Sequence, residues 1–107
     1  MREQRRVRVE VVRSGGFAGL TRAAAMDTEE LDGERAEQLH KLVDESRIES
    51  LASAPPGSGG ADRFQYDVTV TRGGRRTSIV LHESNMPDGA RRLVRWVLRG
   101  ASPASGR

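Results

Sequence analysis

The chain has 107 residues, 36% hydrophobic and 31% charged, with no cysteine and a formal net charge of +3. That length suits one domain around one core, and the lack of cysteine excludes disulfides, thiolate metal sites and a thiol nucleophile. No apolar run is long enough to cross a bilayer, and the basic residues 1–6 lead into no signal-type apolar segment, so a bacterial-type cytoplasmic protein with no membrane partner is expected.

The small net charge conceals a strong asymmetry. Residues 27–49 carry 9 acidic and 3 basic side chains, a segment charge of −6, and the remainder carries +9. One end or face should therefore be acidic and another basic, a dipole able to steer a partner.

In chain order, Val7, Val9 and Val11 alternate with Arg8 and Glu10, which predicts a half-buried strand over residues 6–13. Ser14-Gly15-Gly16-Phe17-Ala18-Gly19 follows as a glycine-rich connection, and residues 20–25 return as a second strand. Asp32 is placed to cap a helix whose apolar stripe is Ala36, Leu39, Leu42 and Val43. Ser46-Arg47-Ile48-Glu49 has the capping-box spacing and predicts a restarted helical turn burying Ile48 and Leu51. The proline- and glycine-rich residues 54–60 cannot be regular structure.

Phe64, Tyr66, Val68 and Val70 then alternate with Gln65, Asp67, Thr69 and Thr71 in a third strand. Gly73-Gly74 is a two-residue hairpin signal, and Ile79 and Leu81 extend a fourth strand to His82. Pro87 is expected in the first turn of a last helix. That helix groups Arg91, Arg92, Arg95 and Arg99 on one arc, with Leu93, Val94, Val97 and Leu98 opposite and Trp96 at the border. The expected fold is α+β: a four-stranded antiparallel sheet in ββαββα order with the helices packed on one face. Residues 6–100 form the single domain, 53–62 a flexible loop within it, and 1–5 and 101–107 disordered ends.

Catalytic constellations are absent from the pattern. His82-Glu83-Ser84-Asn85-Met86 begins like a zinc-peptidase HExxH motif, but Met86 stands where the second histidine belongs and the stretch ends a strand. No metal site, cofactor or catalytic residue is assigned, and no enzyme is expected. The arginine arc permits a second reading, a small basic nucleic-acid-binding module using the last helix. No aromatic platform accompanies it, and the acidic first helix would repel a polyanion, so the solvated amphipathic face is preferred. Two strand-end connections remain as candidate contact surfaces. The first offers Phe17 among glycines, either turned inward or presented outward; the second offers Glu83, Ser84, Asn85 and Met86.

The stretch Arg8-Val9-Glu10-Val11-Val12-Arg13-Ser14-Gly15-Gly16-Phe17-Ala18-Gly19-Leu20 resembles the start of the emfourin family of protealysin inhibitors. The later order of features is similar too: Asp27-Thr28-Glu29-Glu30-Leu31 entering a helix, a Pro/Gly-rich loop, Asp62-Arg63-Phe64-Gln65-Tyr66, then His82-Glu83 before a proline-started helix. The resemblance spans about residues 6–98. It implies a proteinaceous inhibitor of thermolysin-like zinc metallopeptidases that occupies the active-site cleft and is monomeric when free. The implied peptidase-binding residues are Ser14, Gly15, Gly16, Phe17, Ala18 and Gly19, with Glu83, Ser84, Asn85 and Met86 as the second contact. Phe17 would be the apolar anchor, since a loop already in its bound shape loses less entropy on docking.

Overall fold

A computed structural model of the chain describes residues 6–15, 20–53, 64–83 and 86–100. Strands β1 (Val7–Gly15) and β2 (Leu20–Asp27) are followed by a 3-10 turn at Thr28–Glu30 and helices α1 (Gly33–Ser46) and α2 (Ile48–Ser53). Strands β3 (Phe64–Arg72) and β4 (Arg75–His82) and helix α3 (Asp88–Gly100) complete the chain. The four strands form one antiparallel sheet in the order β2-β1-β3-β4, as the alternation predicts. The expected termini (1–5 and 101–107) and most of the expected loop at 53–62 lie outside the described residues.

Alternation decides which face is covered. Val7, Val9 and Val11 of β1, Ala24 and Met26 of β2, Tyr66, Val68 and Val70 of β3 and Leu81 of β4 are all buried, together with Leu39, Val43, Leu93, Val94 and Val97 of the helices. Val9 faces Met26 on one side and Val70 on the other; Val11 faces Ala24 and Val68. The other face carries Arg8, Glu10, Thr69, Ser78 and an exposed Val80, with Thr69 and Ser78 hydroxyls bonded across strands at 3.1 Å. Both long helices thus lie on one side of the sheet.

Local signals set most element ends. Asp32 caps α1, its carboxylate accepting from the Arg35 N–H at 2.8 Å, and Gly73 and Gly74 take φ values of 58° and 86°. Two consecutive positive φ angles match the strand twist in a two-residue hairpin, which pairs Arg72 with Arg75. The predicted capping box does not form. Ser46 is instead the last residue of α1; its buried hydroxyl donates back to the Val43 carbonyl at 2.7 Å. Glu49 is drawn away to the Arg72 guanidinium at 2.8 Å, because an ion pair to a partner on β3 outcompetes a reach back to its own helix start. Arg47, in the left-handed region at φ 54°, makes the corner between α1 and α2. Pro87 lies one position earlier than predicted: its carbonyl accepts the first α3 bond, from the Arg91 N–H at 2.9 Å.

α1 and α3 run antiparallel and touch most closely at Gly89. A Cβ there would lie 2.5 Å from the Glu45 carbonyl oxygen and 3.1 Å from Ser46 Cα, both backbone atoms that cannot swing aside. Gly89→Ala should therefore push the helices apart and destabilise the fold by about 1–3 kcal/mol, read as a lower Tm; an unchanged Tm would contradict this packing.

The end of the sheet that bears the Gly73-Gly74 turn is tied by Asp27, whose side chain is 1% exposed. It accepts from Arg6 Nη2 at 2.6 Å, Arg6 Nε at 3.2 Å and the Glu29 N–H at 2.9 Å, with Arg8 Nη1 3.8 Å away. Burial opposes its charge, but the hydrogen bonds from Arg6 and Glu29 and the charges of Arg6 and Arg8 outweigh it, so its carboxyl is held below the usual range. A depressed folded-state pKa contributes stability above the unfolded value, lost as pH falls below about 4. Asp27→Asn should cost about 1–2 kcal/mol near neutral pH, and the gap to wild type should close in acid; a pH-independent gap would show that the charge is not what matters.

Candidate functional site

The register places the two candidate connections. Gly15, the end of β1, pairs with Leu20 of β2 and with Phe64, the first residue of β3. Gln65 pairs with His82, the last residue of β4. Both connections therefore leave the same end of the sheet, opposite the Gly73-Gly74 turn. Counting across the strand order, the midpoint between the loop-bearing ends of β1 and β2 and the exit of β4 are about 12 Å apart at ordinary strand spacing.

Among the predicted contact residues, Ser14 and Gly15 end β1 half-buried, and Gly15 has φ 110°, which a side chain would strain. Glu83 is half-buried just beyond β4. Gly16, Phe17, Ala18, Gly19, Ser84 and Asn85 lie outside the described residues. Met86 turns inward: it is 7% exposed and part of the core cluster, leaving its backbone as the part that meets other polar groups. An apolar thioether at a strand-to-helix junction gains more from burial in the core than from solvent.

Side chains that the sequence reading assigned elsewhere brace this end. Arg91, assigned to the arginine arc, instead directs Nη2 at the Glu83 and Met86 carbonyls at 3.2 and 3.4 Å, bridging the two ends of the second connection. Arg13 lies over the Phe64 ring at 4.8 Å from its centroid, beside the first connection. Arg22 Nη2 donates to the Leu98 carbonyl at 2.6 Å and ties β2 to the last turn of α3, where unpaired carbonyls favour a cation. Helical spacing hid the role of Arg91. Its position four residues after Pro87, within reach of the preceding bend, is the signal that could have exposed it.

Among the described residues, no group of three or more His, Cys, Asp or Glu side chains could hold a metal ion, and no helix is long and apolar enough to cross a membrane. An open groove of about 550 Å³ between Arg6, Thr28, Glu29, Ala36 and His40 lies at the turn end, away from both connections, and its arginine is already bound to Asp27.

The emfourin family model matches residues 11–98. The chain belongs to the emfourin family. The matched region runs from the middle of β1 through most of α3, so it contains both connections of the emfourin-type sheet. Among solved structures, the emfourin of Serratia proteamaculans, titled an M4 family peptidase inhibitor, is similar at 20% identity and a TM-score of 0.46, over 92% of each chain. A comparison with curated proteins finds no significant match.

Proposed function

We propose that this chain is an inhibitor of thermolysin-like (M4) zinc metallopeptidases, not an enzyme, and that it blocks the active-site cleft with its two same-end connections. Membership of the emfourin family supports the inhibitor class. The observation that supports the mode of action is the register: with Gly15 opposite Leu20 and Phe64, and Gln65 opposite His82, both connections begin at one end of the sheet.

The physical logic is that of an anchor on a braced support. A bulky apolar side chain entering a pocket supplies most of the docking energy, and neighbours that exclude water sharpen it. Phe17, in the connection that begins at Gly15, is the proposed anchor. The glycines around it allow the backbone to approach the cleft in extended form. Glu83, held beside Met86 by the Arg91 bridge, is the described residue of the second contact, with Ser84 and Asn85 between them. A scaffold that fixes its contact residues beforehand loses less conformational entropy on association.

Titration of a panel of M4 peptidases that includes thermolysin tests this reading, with wild type and Phe17→Ala compared. Wild type should inhibit at least one member stoichiometrically, and Phe17→Ala should weaken binding by about 2 kcal/mol or more, some thirtyfold, at unchanged Tm. No inhibition of any member contradicts the function. Equal inhibition by the variant contradicts the anchor, and a lowered Tm would make Phe17 a core residue.

A further inference from the structure

We infer that the loop-bearing end docks on a carboxylate-rich protein surface, so that the peptidase groove blocked by this chain is flanked by acidic residues. The inference rests on the proposed inhibitor function and adds the chemistry of the partner.

It begins with where the two charged helices lie. α1 spans the turn end: Gly33, Ala36 and His40 line a groove with Arg6 and Thr28, and Asp44 near its other end binds Arg72 at 2.6 Å. α3 spans the loop end: Arg91 reaches the carbonyls after β4, and Arg22 near the start of β2 reaches Leu98. Most of the acidic segment is thereby placed at the turn end, with Glu45 packed beside Gly89 as the exception, and the arginine-rich helix lies beside the connections.

The pairing of the arginines differs between the two ends. At the turn end Arg6, Arg8 and Arg72 each meet carboxylates, at Asp27, Glu10, and Asp44 with Glu49, and only the exposed Arg75 and Arg76 beside the turn meet none among the described residues. At the loop end the partners are neutral. Arg13 stacks on a ring, and Arg22 and Arg91 bind backbone carbonyls, so none of the three is offset by a carboxylate. Arg92 and Arg95 are exposed on α3 and meet no carboxylate among the described residues. Against these five cations stand Glu83 and Asp88, with Glu45 of α1 beside Gly89. A rim of unneutralised guanidinium groups around a docking end raises the rate of encounter with an acidic surface and does so less as salt screens it.

A nucleic acid would also attract arginines, but Glu34, Glu37, Asp44 and Glu45 of the neighbouring α1 would repel a long polyanion. The two bulky rings described near the basic surface are engaged, Phe64 under Arg13 and Trp96 under Arg35 at 5.6 Å, which leaves no stacking platform there.

Association rates with whichever panel peptidase is inhibited, measured from about 25 to 500 mM salt, test the inference. The comparison is between R92E/R95E at the loop end and R75E/R76E at the turn end, which change net charge equally and alter only exposed residues. The wild-type association rate should fall about tenfold or more over this range; at low salt R92E/R95E should slow it about tenfold and R75E/R76E less than twofold. A salt-independent rate, or equal effects of the two double variants, would overturn the inference while leaving the inhibitor reading intact. Absence of inhibition across the panel would remove both. Steeply salt-dependent binding of a 20-base-pair duplex, abolished by R92E/R95E, would reassign the surface to nucleic acid and overturn the inference as well.

Discussion

The pairing of β1 on both its edges is the constraint from which the rest follows. It is the one strand hydrogen-bonded to β2 and β3 along nearly its whole length, from Val7–Arg72 at one end to Gly15–Leu20 and Gly15–Phe64 at the other. A slip of one residue would turn Val7, Val9 and Val11 to solvent and Arg8 and Glu10 into the core. Because three fully buried valines resist that slip, Gly15 is fixed at the rim of the sheet. The start of the first connection is therefore set by burial several residues away.

The same register distributes charge. Antiparallel order sends the Gly73-Gly74 turn to one end and both candidate connections to the other, and the helices follow their strands. α1 enters beside the end of β2 and takes the acidic residues with it; α3 leaves the end of β4 and takes the arginines. At the turn end Arg6 closes onto Asp27 and Arg72 joins β3 to α1 and α2, while Arg75 and Arg76 beside the turn stay exposed. Ion pairing raises the affinity of both arginines for their protons, as expected of cations hydrogen-bonded to carboxylates. At the loop end arginines brace the backbone without being neutralised.

Much of the fold was legible in the sequence because its signals are local. Period-two alternation in Val7-Arg8-Val9-Glu10-Val11 and in Phe64 to Val70, the Gly73-Gly74 pair and the Asp32 cap each act within a few residues, and each is realised. What escaped depends on contacts between residues far apart in the chain. The Ser46 capping box had the right letters, but Arg72, 23 residues beyond Glu49, claims the carboxylate. Arg91 had the right helical spacing for a solvated arc, but a bend five to eight residues earlier offers it two carbonyls. Of the candidate site, the sequence supplied the two connections and the family, and two antiparallel hairpins allowed both to leave one end; the sheet register is what fixes that they do. Met86 read as a loop residue because nothing local reveals that its side chain turns into the core.

Amide hydrogen exchange of the chain alone and in complex with an inhibited M4 peptidase tests most directly the proposal that the end carrying both connections engages the peptidase. The account predicts new protection confined to residues 14–20 and 82–86, with exchange at the Gly73-Gly74 turn and the first turn of α1 unchanged. Protection at that turn or along α1, with residues 14–20 unaffected, would contradict it.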